Sequence, residues 1–342
     1  MNLSIAREIV LASVAHNRTV SGRKFSQKIV PMLWGTAGLG KTSIVQSAAE
    51  ELGIDFVDLR LSQYDAGELG GFPILKDDVM FRSRPHFLPT TGEGILFLDE
   101  LPQAPIANQN IAAQLVNEGS IGEHVLGEGW TVICAGNGMA MRAGTNAMPT
   151  HLKDRLTHLE IEPHLDDALA FLNLAGVRPE IVGFLRFKPD QLSKFDKAVN
   201  ACPSPRSWHK ASEVLDMKLS ELAEHYALIG TLGQGATADF TAFLRVYREL
   251  PDPELPLKDP MAAPIPTDPS VKYAVCASIA YRVNKANAKN FMTYISRFPE
   301  QEFGAFAVKS ALARFPALKM EPALRDWIRT GGADLIIDRH VA

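Results

Sequence analysis

The sequence predicts an α/β fold, in which a mainly parallel five-stranded sheet lies between two layers of helices, followed by an all-helical second half. Two observations predict this fold. Short apolar runs alternate with turns and amphipathic segments up to about residue 163, and helical periodicity replaces that pattern from about Leu165 onward. The apolar runs are continuous, which is typical of parallel strands that are buried on both faces.

The five candidate strands are short apolar segments that end at turns or polar residues. They are Lys28–Trp34, Asp55–Leu61, Ile95–Leu98, Thr131–Ala135 and Leu156–Ile161. The proline-rich stretch Leu250–Pro269 predicts a connector, because proline removes backbone donors and fixes φ. Apolar periodicity resumes after it, so further helices are expected there.

The composition excludes several classes of protein. The chain has 342 residues, of which 46% are hydrophobic and 22% charged, so it is neither disordered nor a fibrous repeat. No apolar stretch reaches the roughly 18 residues of a membrane span. The apolar segment Ile9–Ala15 lacks the features of a signal peptide and predicts a helix instead. A net charge of −4 does not favour sequence-independent nucleic-acid binding, but it does not exclude binding in a local basic groove.

The cysteines and histidines predict neither disulfides nor a transition-metal site. Cys134, Cys202 and Cys276 lie far apart and are odd in number, so they are expected to be reduced and the protein cytoplasmic. The nine histidines show no paired ligand spacing of the kind that binds zinc.

The strongest motif is a glycine-rich loop that fits the pattern G-x-x-x-x-G-K-[ST]. Its residues are Gly35, Thr36, Ala37, Gly38, Leu39, Gly40, Lys41 and Thr42, and Ser43 follows. In this pattern the glycines let backbone N–H groups face phosphate oxygens, the lysine reaches the β- and γ-phosphates, and the threonine hydroxyl binds Mg²⁺. A candidate strand precedes the loop and a helical segment follows it. The loop therefore predicts a site for a nucleoside triphosphate and Mg²⁺.

Polar residues follow two other candidate strands. Ile95–Leu98 runs into Asp99, which is suited to hold Mg²⁺, and Glu100, which is suited to polarise an attacking water as a general base. Thr131–Ala135 is followed closely by Asn137, which is expected to orient that water. A Gly-Asn-Gly sequence is also a common turn, so this role has a structural alternative.

The order of phosphate loop, Asp-Glu strand end, Asn strand end and then arginines resembles the AAA+ ATPases. The likeness spans Val30–Leu215 and is closest to the MoxR-like and dynein-related members of bacteria and phages. It implies a P-loop NTPase three-layer αβα core over residues 1–163, with hairpin insertions near 66–88 and 121–130. It also implies a helical lid over 164–250; a proline-rich connector and helical extension occupy 251–342.

The same resemblance implies roles for three arginines. Arg155 occupies the place of an arginine finger, which would reach the γ-phosphate bound to a neighbouring subunit. Many relatives have Phe after this arginine, whereas Leu156 follows it here. Arg142 is the alternative finger, and Arg206 resembles the lid arginine that contacts the nucleotide. An ordinary surface arginine is the alternative for each of them.

The function that the resemblance implies is Mg-ATP hydrolysis by a ring, expected to be a hexamer, that remodels a macromolecular client. Phe72, in a glycine-rich segment, and the hairpin Ile121–Trp130 would grip this client; the alternative for both is a structural turn packed on the core. A partner with a von Willebrand A domain is also implied. A nucleotide-dependent scaffold with little turnover is one alternative. The other is a DNA-directed motor or loader, in which Arg82, Arg84, Arg142 and Lys153 would line a basic channel. A protein client is favoured over DNA.

Overall fold

The structure, a computed structural model, describes residues 1–19, 25–137, 147–196, 198–250, 252 and 254–329. The chain divides into two compact units, Met1–Pro163 and His164–Ala342. The separation of the second unit into a lid and an extension stays a prediction.

The first unit is built around a five-stranded sheet. Its described strands are β1 Pro31–Trp34, β2 Asp55–Arg60, β3 Pro73–Lys76, β4 Val79–Arg82, β5 Glu93–Asp99, β6 Ser120–Ile121, β7 His124–Val125, β8 Gly129–Gly136 and β9 Thr157–Glu160. The sheet order is β2-β5-β8-β1-β9 and every neighbouring pair is parallel. β3 pairs with β4 and β6 with β7 in two separate antiparallel hairpins.

Helices cover both faces of this sheet. They are α1 Leu3–Thr19, α2 Lys41–Leu52, α3 Ala66–Gly70, α4 Ile106–Glu118 and α5 Thr150–Lys153. Successive strand residues face opposite sides: Leu33 and Phe97 share a core cluster with α1 and α2, whereas Met32 and Leu98 share one with α4. The predicted α/β fold class, with its parallel five-stranded sheet between helical layers, is confirmed.

The first strand begins later than the sequence predicts. It starts at Pro31 and not at Lys28, because the backbone N–H and carbonyl of Ile29 are hydrogen-bonded to the side chain of Asn17. The Ile29 N–H donates to Asn17 Oδ1 at 2.9 Å, and Asn17 Nδ2 donates to the Ile29 carbonyl at 2.7 Å. Ile29 therefore forms hydrogen bonds with a side chain of α1 and not with a neighbouring strand.

The second unit is helical, as predicted. Its described helices are α6 Leu165–Leu174, α7 Pro179–Phe187, α8 Pro205–Asp216, α9 Glu221–Leu232, α10 Gln234–Arg248, α11 Leu255–Lys258, α12 Pro269–Arg282, α13 Ala288–Ile295, α14 Gln301–Arg314 and α15 Pro322–Trp327. The aromatic rings of Phe184, Trp208 and Phe240 pack together at its centre. The proline-rich stretch contains α11 and buries Leu257 and Ala263 in the same core, so it is packed chain as well as a connector.

The composition also leads to expectations about membrane-spanning helices and about the cysteines, and both can be compared with the described residues. None of its helices combines the length and the apolar character that crossing a membrane requires. All three cysteines are unpaired, and burial raises the pKa of the Cys134 and Cys276 thiols far above the ordinary value. These two thiols are therefore small buried apolar groups.

Candidate nucleotide site

The glycine-rich loop joins the end of β1 to the start of α2. Gly38 and Gly40 have φ values of 78° and 100°, a left-handed region that glycine adopts without steric cost. Gly40 is also the N-cap of α2 and, as a glycine, offers no side chain to cap this helix. Because the first-turn N–H groups of a helix lack intrahelical partners and carry the positive end of its dipole, this terminus is suited to an anion.

Lys41 is held against the loop by hydrogen bonds. Its side chain is buried, and Nζ donates to the carbonyl oxygens of Gly35 at 2.9 Å and Thr36 at 3.0 Å. A buried ammonium group is costly unless it is hydrogen-bonded, so these carbonyls stabilise it beside the helix terminus. The positive charge that the motif predicts for phosphate binding is therefore placed at the loop.

The two predicted Mg²⁺ ligands lie together. Thr42 Oγ1 donates to Asp99 Oδ2 at 3.4 Å, while the backbone N–H of Glu100 donates to Asp99 Oδ1 at 2.8 Å. Mg²⁺ binds six oxygens octahedrally, with adjacent ligands about 3 Å apart. The pair therefore fits one ion, with direct or water-mediated contact through Asp99. The described residues contain no cluster of three or more His, Cys, Asp or Glu that could hold a metal, so phosphate and water oxygens would complete the shell.

Glu100 has a constrained backbone and a specific side-chain partner. Its φ of 57° lies in the left-handed region, which costs a residue with a side chain about 1 kcal/mol or more. Ser62 Oγ donates a hydrogen bond to Glu100 Oε2. Ser62 lies in the short 3-10 helix Leu61–Gln63 that follows β2, and β2 neighbours β5. Sequence inspection missed Ser62, because only the sheet order brings it beside the carboxylate.

Asp58 adds a third carboxylate near this pair. Burial raises its pKa above the ordinary value, and the negative charges of Asp99 and Glu100 raise it further, while Arg60 lowers it. Asp58 lies two residues before the end of β2 and therefore adds to the negative charge around Asp99 and Glu100.

Replacing Ser62 tests whether its hydrogen bond positions Glu100. We expect Ser62→Ala to lower kcat for ATP about two- to tenfold with little change in KM, because one charge-assisted hydrogen bond to the carboxylate is lost. Steady-state phosphate release measures this. Ser62→Thr keeps the hydroxyl and should retain most of the activity; a threonine variant as impaired as the alanine variant would contradict the role of the bond.

Asn137 follows β8, which lies between β5 and β1 in the sheet. The carboxyl end of β8 is tied to the phosphate loop by the Gly35 N–H, which donates to the Gly136 carbonyl at 3.3 Å. The half-buried Asn137 therefore lies between the loop on one side and the two carboxylates on the other. The predicted loop, acidic pair and asparagine are thus brought to one edge of the sheet.

Arg155 is not part of this group. It lies two residues before β9, by the amino end of that strand, where the Thr157 N–H donates to the Val30 carbonyl at 2.9 Å. The phosphate loop follows the carboxyl end of β1, so a strand of four residues, about 13 Å long, separates the two edges. In the part of the chain that the structure describes, the exposed Arg155 side chain has no hydrogen bond or ion pair.

The other two predicted arginines have different outcomes. Arg206 is exposed in the first turn of α8, which begins in the second unit behind a capping box formed by Ser204 and Ser207. Its contact with nucleotide stays a prediction. Arg142 lies outside the described residues.

The two hairpins meet at Arg82. Its backbone N–H donates to Glu123 Oε1 at 2.6 Å, its carbonyl contacts His124 Nε2 at 2.8 Å, and its guanidinium donates to the Gly71 carbonyl at 3.0 Å. The hydrogen bond from Arg82 holds the pKa of Glu123 below its usual value. β6–β7 therefore supports the base of β3–β4.

The first hairpin carries exposed apolar side chains on both faces. Every residue of β3 and β4 is exposed. Six large apolar residues, between 45% and 68% exposed, lie on or directly before the hairpin: Phe72, Ile74, Leu75, Val79, Met80 and Phe81. Of these six, only Phe72 is distinguished by the sequence, since a short apolar run does not show whether a strand is buried or exposed. A concentration of this kind is typical of an interaction surface.

Comparison with known families identifies the part of the chain around this site. Residues 31–149 match the profile of the ATPase family associated with various cellular activities (AAA). This part of the chain, about a third of its length, is therefore similar to AAA ATPases. The match runs from β1 through the phosphate loop, Asp99 and Glu100 to beyond Asn137, and members of that family are ATPases. The MoxR-like subfamily is not confirmed, and a search of functionally described proteins gave no match.

Solved structures with some similarity include RuvB from Thermotoga maritima. A structure described as its Holliday junction branch migration motor is 14% identical, covers 82% of each chain and has a TM-score of 0.42. A single-residue variant of the same protein is 13% identical over 96% of this chain and 88% of that one, with the same TM-score of 0.42. Similarity at this level supports no functional inference.

Proposed function

We propose that the chain binds Mg-ATP at this site and hydrolyses it. The observation that carries the proposal is the contact between Thr42 and Asp99, because it joins the phosphate loop to the acidic strand end at a distance that suits one Mg²⁺. When bound, the ion would neutralise charge on the β- and γ-phosphates. Lys41 would contact the same phosphates, Asn137 would orient a water, and Glu100 would accept its proton.

Hydrolysis also requires positive charge near the γ-phosphate, and we propose that a neighbouring subunit supplies it. Arg155 lies at the sheet edge opposite the phosphate loop, and its exposed side chain is unpaired among the described residues. A head-to-tail contact between subunits generates a ring when its rotation closes. A ring, which we expect to be a hexamer, would place each Arg155 at the next nucleotide, and Arg206 would contact the nucleotide from the helical unit.

We propose a protein client for this ATPase. The exposed hairpin β3–β4 offers apolar side chains, and among the described residues neither of its strands pairs with a third strand, which suits an extended apolar polypeptide. Its tip carries Asp77 and Asp78, which would repel nucleic-acid phosphates. Arg82, one of the residues proposed for a basic channel, is bound to protein groups instead. A partner with a von Willebrand A domain stays an expectation from the resemblance.

The hairpin can be tested by removing two apolar side chains that face each other across it. Leu75 pairs with Met80, and both are about two-thirds exposed. We expect wild-type protein to release phosphate in a magnesium-dependent reaction that an unfolded protein, such as reduced and carboxymethylated α-lactalbumin, stimulates. A variant with both Leu75→Ser and Met80→Ser should lose the stimulation and keep the basal rate. Leu222→Ser, an equally exposed leucine of α9, is the control. Undiminished stimulation in the double variant would exclude the hairpin from client binding.

A further inference from the structure

Two aromatic side chains connect the phosphate-loop edge of the sheet to the edge that carries Arg155. Trp34 Nε1 donates to His158 Nδ1 at 2.8 Å, and the two rings stack with centroids 5.9 Å apart and planes at 22°. His158 Nε2 lies 3.1 Å from the carbonyl oxygen of Lys153. An indole nitrogen can only donate, so Nδ1 is the acceptor and Nε2 carries the proton that is donated to Lys153.

The Lys153 carbonyl belongs to the turn that holds Arg155. The same oxygen accepts the N–H of Leu156 at 3.2 Å, and the Arg155 N–H donates to the Leu152 carbonyl at 3.1 Å. Leu152 and Leu156 are buried on either side of the turn. The main chain of Arg155 is therefore fixed, while its side chain is exposed. His158 adds the one side-chain hydrogen bond that the described residues make to this turn.

The other end of the connection lies beside the phosphate loop. Trp34 is the last residue of β1 and directly precedes Gly35. In the β1–β9 register Trp34 is opposite Glu160, whereas His158 is opposite Met32. The contact between Trp34 and His158 therefore runs diagonally, over two residues or about 7 Å of strand, toward the amino edge of the sheet. It bridges the two edges within one subunit.

We propose that Trp34 and His158 are positioning residues for Arg155, and that they link the phosphate loop of one subunit to the arginine that this subunit offers to its neighbour. The proposal rests on the proposed function, in which Arg155 acts on the neighbour's nucleotide. A change in the loop at Gly35 moves the indole of Trp34. The indole is hydrogen-bonded to the imidazole of His158, and the imidazole is hydrogen-bonded to the Lys153 carbonyl in the turn that holds Arg155. Each nucleotide site is thereby connected to the next one around a ring.

The core does not need the imidazole. His158 is exposed, and β9 is anchored by its ladder to β1 and by the buried Leu159. His158→Phe keeps a flat ring for the indole and removes both hydrogen bonds. His158→Gln keeps an acceptor and a donor at a spacing similar to that of the two ring nitrogens. These two variants separate the hydrogen bonds from the packing.

The decisive measurement is ATPase activity of mixed rings. His158→Phe alone should lose at least about tenfold in rate with unchanged ATP affinity, because every site lacks a well-placed Arg155. Mixed in equal amounts with Glu100→Gln, it should recover to about a quarter of the wild-type rate. Half of the sites then have an intact Glu100, and half of those face an intact arginine turn. Arg155→Ala mixed with Glu100→Gln should recover in the same way, and His158→Gln should be active without mixing.

The outcomes separate the positioning role of Trp34 and His158 from the proposed action of Arg155 between subunits. Recovery with Arg155→Ala but not with His158→Phe would overturn the positioning role and leave the proposed function intact. A fully active His158→Phe variant, or a His158→Gln variant as impaired as it, would also overturn the positioning role. Absence of recovery with Arg155→Ala would contradict the proposed action of Arg155 between subunits.

Discussion

An Arg155→Ala variant is expected to hydrolyse ATP about 10³- to 10⁵-fold more slowly than the wild type, with ATP affinity nearly unchanged. Charge on the γ-phosphate oxygens is greatest in the transition state, so a guanidinium that contacts them there stabilises that state more than bound ATP. The side chain is exposed and has no hydrogen bond or ion pair within the described residues. Its removal should therefore leave the fold and the thermal stability unchanged.

Phosphate release under saturating Mg-ATP measures the effect of this change. Arg155→Lys keeps the charge but not the planar pair of donors, so partial activity at most is expected. Arg325→Ala, a change at another exposed arginine, should retain the wild-type rate. Full activity of Arg155→Ala would show that another group supplies the positive charge.

A Glu100→Gln variant is expected to bind Mg-ATP normally and to lose about 10²- to 10⁴-fold in turnover. The amide has the shape of the carboxylate, and its oxygen can still accept the hydrogen bond from Ser62. It cannot accept a proton from the attacking water. The Asp99 contact with Thr42 is untouched, so Mg²⁺ binding should persist.

Single-turnover hydrolysis of bound ATP distinguishes this function from that of a scaffold. An ATPase should convert its bound ATP to ADP, and Glu100→Gln should keep the triphosphate intact. If the wild type left its bound ATP intact for as long as Glu100→Gln does, the scaffold function would be favoured. If both converted ATP to ADP equally fast, Glu100 would not be the catalytic base.

The fold was predictable where the signal is local. All five predicted strands form, and the three inner ones, β1, β5 and β8, are the continuous apolar runs that a strand buried on both faces needs. The edge strands β2 and β9 carry polar residues and are largely exposed. The start of β1 was wrong by three residues, because the side chain of Asn17 pairs with Ile29 and nothing in the local sequence shows this. Packing of the proline-rich stretch onto the helical core was likewise invisible, since it depends on contacts with α12 and α13.

In the candidate site, too, the residues with a local sequence signal were predictable and those placed by tertiary contacts were not. The phosphate loop, Asp99 and Glu100 could be predicted from the sequence because each lies at the end of a predicted strand or directly after it. Ser62 could not, because its contact with Glu100 depends on β2 and β5 being neighbours. The contact between Trp34 and His158 depends in the same way on the register of β1 and β9.

The most direct test of the central claim is equilibrium binding of labelled ATP to the purified chain in magnesium buffer. We predict saturable binding at one site per chain, and binding at least about tenfold weaker for Lys41→Ala, because the amine beside the loop is lost. Lys319→Ala, at an exposed lysine of the second unit, should bind like the wild type. Failure of the wild type to retain Mg-ATP, or equal binding by Lys41→Ala, would contradict a nucleotide site at this loop.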